Sequence, residues 1–194
     1  MFTILLDSSN TSLTVGLAKD DILLENVSYE AWQTQSEHMI PELDKLLKKY
    51  KVERKDIKDV VVSIGPGSYT GVRIAITIAK TIATALSCDV YTISSLRCQK
   101  AGKEPSICVI NARSGRSYFG VFKDDQIIID DCIMTNDKVV EYIKEHPDYV
   151  VCGNASYLGV EGRQPNISEE LLSLKKCCEK VDNPLAIKPV YMKD

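Results

Sequence analysis

The chain has 194 residues, 44% of them hydrophobic and 26% charged, and 24 basic against 27 acidic side chains leave a formal net charge of −3. These are ordinary values for a soluble protein of one large or two small domains, and a pI near 5.5 supplies no basic field for nucleic acid. The opening Met1-Phe2-Thr3-Ile4-Leu5-Leu6-Asp7 lacks the basic n-region and cleavage site of a signal peptide. The seven cysteines form no C-x-x-C pair, so they read as reduced thiols in a cytoplasmic protein.

In chain order, residues 2–6 form an apolar strand, residues 12–18 alternate as a second, and Asp20-Asp21 turns into a third that begins at Ile22. Between the first two strands lies Asp7-Ser8-Ser9-Asn10-Thr11-Ser12. It reads either as an Asx or Ser turn, or as a carboxylate and hydroxyls that hold a hydrated metal ion beside a phosphate. Residues 36–50 are a helix with Met39, Ile40, Leu43, Leu46, Leu47 and Tyr50 on one face, and Pro41 in its first turn or at a kink. His38, near its start, is expected to face solvent. The only other histidine is His146, too few ligands for a histidine-based metal site, and no metal is expected.

Val60 to Ile64 make a buried strand, which turns through Gly65-Pro66-Gly67-Ser68-Tyr69-Thr70-Gly71-Val72-Arg73 into a helix that runs to Leu86. The turn reads either as an anion site at a helix start or as an ordinary strand-to-helix loop, and it matches neither the P-loop nor G-x-G-x-x-G. The helix is apolar on two sides. Ile74, Ile78, Ile82 and Ala85 are bulky enough to lie on a sheet, while Ala75, Ala79 and Ala83 form a smooth ridge for a second helix, of this chain or of a partner. Arg73 and Lys80 interrupt the apolar run, so it is not a membrane span.

A strand at 89–93 and a short helix ending near Gly102 lead to a boundary at Lys103-Glu104-Pro105. The plan then repeats, with strands at 106–110, 118–122 and 126–129, a polar turn Asn111-Ala112-Arg113-Ser114-Gly115-Arg116, a helix at 137–145 and a strand at 149–152. A helix from Glu169 to Lys180 and an irregular tail close the chain. The predicted fold is therefore α/β, with a lobe at 1–102 and a shortened lobe with C-terminal helix and tail at 103–194. The order β-β-β-α-β-α recurs in the two ribonuclease-H-like lobes of the actin, sugar-kinase and Hsp70 (ASKHA) superfamily, the second lobe here being reduced.

Gly65-Pro66-Gly67-Ser68-Tyr69-Thr70-Gly71-Val72-Arg73-Ile74 resembles the GPGSFTGLRIG motif of the TsaB family of bacterial threonylcarbamoyladenosine (t6A) tRNA biosynthesis. Ile4-Leu5-Leu6-Asp7-Ser8-Ser9 is similar to its opening IDTS, Ser36-Glu37 with Pro41 to HSExLLP, Ile93-Ser94-Ser95-Leu96 to SSLEAL, Asn111-Ala112-Arg113 to DAR and Pro189-Val190-Tyr191-Met192 to PxYLR. The resemblance implies a non-catalytic scaffold that pairs with the related catalytic subunit TsaD through two helices from each partner, joined by the small ATPase TsaE. Here those helices are 36–49 and 70–86, with Met39, Leu43, Leu46, Val72, Ala75, Ala79 and Ala83 as interface candidates. It also implies that the chain has no catalytic residue and needs no cofactor of its own, that ATP or ADP with magnesium enters only with the assembled complex, and that tRNA is met only through it. A face suited to a homologous partner also suits self-pairing. Asp7, Ser8, Gly65, Gly67 and Gly71 are the candidates for a vestigial nucleotide site. Gln35, Asn111 and Ala75 stand where the family has His, Asp and Gly, and an amide at 111 removes a carboxylate ligand. The alternative is an ATPase or phosphotransferase that uses Asp7 for metal and Gly65 to Gly71 for phosphate. A peptidase nucleophile and base pair cannot be assembled from these residues.

Overall fold

In the computed structural model, which describes residues 1–192, strands β1 (Phe2–Asp7), β2 (Ser12–Lys19) and β3 (Ile22–Glu30) form the expected antiparallel meander. Helix α1 (Gln35–Lys49) leads to β4 (Ile57–Ser63), and α2 (Tyr69–Leu86) to β5 (Asp89–Ile93). The five strands make one sheet in the order β3-β2-β1-β4-β5, with β4 parallel to both β1 and β5. The central strands carry unbroken apolar runs, Ile4-Leu5-Leu6 and Val60-Val61-Val62, because both of their faces are covered and all six side chains are fully buried.

The second sheet repeats this order without its last strand. Strands β6 (Ser106–Arg113), β7 (Arg116–Lys123), β8 (Gln126–Thr135) and β9 (Val150–Cys152) are arranged β8-β7-β6-β9, with α3 (Asn136–Glu145) between β8 and β9. Phe119, Val121, Val109 and Val139 are the buried centre of its core. Two ribonuclease-H-like lobes, the second one reduced, are what the repeated pattern predicts.

Three expectations need correction. The ridge Ala75, Ala79 and Ala83, with Val72, faces the chain's own sheet, and Met39, Leu43 and Leu46 join it in the same core. All seven proposed interface side chains are at most 5% exposed, so none is free to meet a partner. The small residues let α2 lie close to β4, while Ile74, Ile78 and Ile82 are half-buried on the outer side. Second, helix α4 (Ile167–Lys175) stops before Lys180 and does not belong to the second lobe. Its Leu171, Leu172 and Leu174 bury themselves against Leu5, Ala18, Val61 and Ile93, on the sheet face opposite α1 and α2. At about 1.5–3 kcal/mol per buried leucine this return helix is a main tie of the first lobe. The tail follows it, with Val181 N–H donating to Val90 O at 2.8 Å and Val190 N–H to Ile64 O at 2.7 Å. Third, the helix expected before Gly102 is only a 3-10 turn at Arg97–Gln99. Pro41, expected in the first turn of α1 or at a kink, lies inside the helix past that turn.

Candidate functional site

Parallel pairing sets Leu6 of β1 beside Val62 of β4, so the two strands end together and their following loops meet. Asp7, at the end of β1, is buried and accepts hydrogen bonds from the Ser63 hydroxyl and, at 3.3 Å, from Ser9 N–H. Burial raises its carboxyl above the ordinary carboxylate range, against the opposing pull of these donors. Ser8 Oγ donates to Gly71 O at 2.7 Å, and Ser68 N–H donates to Ser9 O at 2.7 Å. Ser68 also caps α2, its hydroxyl accepting from Gly71 N–H at 3.2 Å.

A β-carbon on Gly67 would strike the Ser9 carbonyl, and one on Gly71 the Ser8 carbonyl. Both glycines are therefore accounted for by the fit of one loop against the other. Of the candidates Asp7, Ser8, Gly65, Gly67 and Gly71 for a vestigial nucleotide site, Asp7 and Ser8 are buried and bonded within the chain, while Gly67, with Ser9 and Ser68, lines an open cleft. Gly65 is used similarly, since its N–H and its carbonyl are both bonded to Ser95 at 2.9 Å.

What remains open is a cleft of about 710 Å³ above these loops, between the lobes. Asn10, Thr11, Trp32, Gln33, Ser68 and Tyr69 line its first-lobe wall, and Ile110, Asn111, Ala112, Arg113 and Tyr118 the other. Gln35, where the family pattern has His, sends its buried side chain to Asn10 O at 2.8 Å and so braces the first-lobe rim. The Arg113 guanidinium reaches across to the Trp32 ring, 5.8 Å from its centroid. Composition carries one signal for this site that motif reading passes over, a sole tryptophan set in a polar segment. Beside the cleft, Tyr69 stacks on Tyr191 of the tail with centroids 5.1 Å apart, and Arg73 covers Tyr69 while donating to Tyr191 Oη at 2.7 Å.

Among the described residues no three His, Cys, Asp or Glu side chains gather as metal ligands. His38 edges against Tyr29, and His146 stacks on Tyr142 at 3.9 Å. No helix among the described residues is long and apolar enough to cross a membrane.

Comparison with known proteins fits this geometry. The tRNA threonylcarbamoyladenosine biosynthesis protein TsaB of Bacillus subtilis is 32% identical over 155 residues, covering 75% of this chain and 67% of that one. The chain belongs to the TsaB family. A wider family model, described as TsaD, tRNA N6-adenosine threonylcarbamoyltransferase, matches residues 28–152. An uncharacterized protein of Mycoplasma genitalium is 29% identical over 177 residues, 91% of this chain and 86% of its own. In fold, the chain is similar to YeaZ from Pseudomonas aeruginosa, with a TM-score of 0.81 at 21% identity over 98% of this chain and 99% of that one. The glycine motif thus coincides with the place where the loops after β1 and β4 interlock.

Proposed function

We propose that this chain takes part in t6A formation on tRNA as a non-catalytic subunit that pairs with a TsaD-like catalytic subunit and a TsaE-like ATPase. The observation that carries the non-catalytic part is the closed state of the loops, where Asp7 is buried under Ser63 and Ser9 and the glycine turn is filled by Ser8 and Ser9. A group so enclosed has no open face for a metal or a phosphate. Membership of the TsaB family supports the pathway.

Pairing is supported by the outer surface of α1 and α2. Exposed Ile40 on α1 and half-buried Leu47, Ile74, Ile78 and Ile82 lie on two helices that pack side by side. These residues replace the alanine ridge as the interface. Sedimentation of the chain alone and mixed with the TsaD homologue of the same cell tests the reading, with a one-to-one complex expected. Ile78→Arg should abolish that complex in a protein that stays folded, whereas Ala79→Arg, which places a charge in the core, should unfold the chain itself. Absence of a complex with folded wild-type partners, or one that tolerates Ile78→Arg, would refute the pairing. Mg-dependent ATP turnover by the chain alone, lost in Asp7→Ala, would refute the non-catalytic role.

A further inference from the structure

All seven cysteines are free thiols, but two of them are set against each other. Parallel pairing of β6 with β9 places Cys108 directly opposite Cys152, and both side chains are fully buried in one small cluster with Leu96, Ile110 and Phe122. Neighbouring strands lie about 4.8 Å apart, within the Cα separation that a disulfide spans. Cys152 S–H donates to Val150 O at 3.7 Å, and the Cys108 S–H donates to Cys152 Sγ. That bond, with the Arg163 guanidinium nearby, holds the Cys152 thiol below its ordinary value against the effect of burial, while burial pushes the Cys108 thiol up. The pair is therefore unequal, Cys152 being the readier nucleophile and Cys108 its in-register neighbour.

From this geometry we propose that Cys108 and Cys152 are a modification site, a dithiol that a hydroperoxide converts reversibly into an intramolecular disulfide. The Cys152 thiolate attacks one peroxide oxygen and the O–O bond breaks, leaving Cys152 as a sulfenic acid; the departing hydroxide takes up the proton that Cys152 released. The Cys108 sulfur then attacks the Cys152 sulfur, the S–O bond breaks, and a second water leaves with the Cys108 proton. Two electrons pass from the thiols to the peroxide. A reducing thiol such as glutathione reverses the step by exchange. Access comes through β9, which has three residues, lies at the edge of its sheet and is held on its outer side by Gly153 N–H to Arg163 O at 2.9 Å and Arg163 N–H to Val151 O at 2.8 Å. So short a segment opens locally without global unfolding. The disulfide would fasten β9 to β6 beneath Leu96 and Ala101, where the chain passes from one lobe to the other. None of this depends on pairing with a TsaD-like subunit.

The test uses the folded full chain, first reduced, then exposed to graded hydrogen peroxide, blocked with N-ethylmaleimide and digested with trypsin without reduction. A link joining peptides 104–113 and 145–163, each of which holds one cysteine, is expected. It should remove two hydrogens from the intact mass and be fully reversed by dithiothreitol. Cys108→Ala should abolish the link and leave Cys152 as a sulfenic acid that dimedone labels, whereas Cys152→Ala should leave Cys108 neither linked nor labelled. Circular dichroism before and after peroxide reports whether the fold persists, and the wild-type peptide map decides the matter where a variant fails to fold. Oxidation of exposed Cys177 with no link between the two peptides would overturn the proposal. So would a link that forms only once the chain unfolds, a dominant link of another pair such as Cys98 with Cys178, which also share a cluster, or dimedone labelling of Cys108 in folded Cys152→Ala.

Discussion

Gly71→Ala sets two effects of opposite sign against each other in the first turn of α2. Alanine is the better helix former by up to about 1 kcal/mol, so propensity alone predicts a gain in stability. Against it, the new β-carbon would fall on the Ser8 carbonyl. That carbonyl has little room to retreat, because Ser8 Oγ is bonded to Gly71 O at 2.7 Å and the next carbonyl, Ser9 O, to Ser68 N–H at 2.7 Å. Forcing a methyl into such a fit costs about 1–3 kcal/mol, and weakening the buried Ser8 bond adds about 1 kcal/mol. The net expectation is a loss of about 2 kcal/mol, which for a domain of this size lowers Tm by about 4–8 °C. Thermal unfolding by circular dichroism measures it, with Thr77→Ala, exposed on the same helix, as a control that should be neutral or slightly stabilising. A Gly71→Ala protein as stable as the wild type would refute the interlocked loops as the reason for this glycine and reopen the phosphate reading.

Two further outcomes follow from buried charge. Asp131 on β8 accepts from Ser94 Oγ at 2.5 Å, and burial raises its pKa to about 6 despite that bond. The folded chain then holds this proton more tightly than the unfolded chain, so the contribution to stability falls as pH rises from about 4 to about 6 and is level above that. Asp131→Asn should flatten the urea midpoint across this window, leaving the slope of the same sign from Asp7 and, at the lower end, the opposite slope of Glu25, whose carboxyl Lys49 holds below its ordinary value; an unchanged profile would exclude Asp131 as its source. Lys100 and Glu170 form a buried pair at 2.7 Å that ties the inter-lobe linker to α4. Glu170→Ala strands the ammonium and should cost about 3–5 kcal/mol, at least about 6 °C in Tm, and a variant as stable as wild type would show the pair to be dispensable.

The strands and helices were legible because their apolar periods are clear, and the duplication was legible because the same order of elements occurs twice. The return of α4 to the first lobe was not, since three leucines in a helix do not say which sheet they cover. Nor was the burial of Asp7, which depends on Ser63, 56 residues away, arriving beside it through parallel pairing.

The faces of α2 show why the site was harder to read than the fold. A helix apolar on two sides fits either way round if only bulk is considered, and bulk favours the isoleucines for the core. Close approach decides otherwise, because Ala75, Ala79 and Ala83 let the helix backbone settle onto β4, and that leaves Ile74, Ile78 and Ile82 to cover the rim and face outward. The same rule explains the loops, where Gly67 and Gly71 allow two backbones to touch. In both places the small residues mark where the chain meets itself, and the larger side chains, Ile40, Ile74 and Ile78 among them, are left on the outer side of the helices.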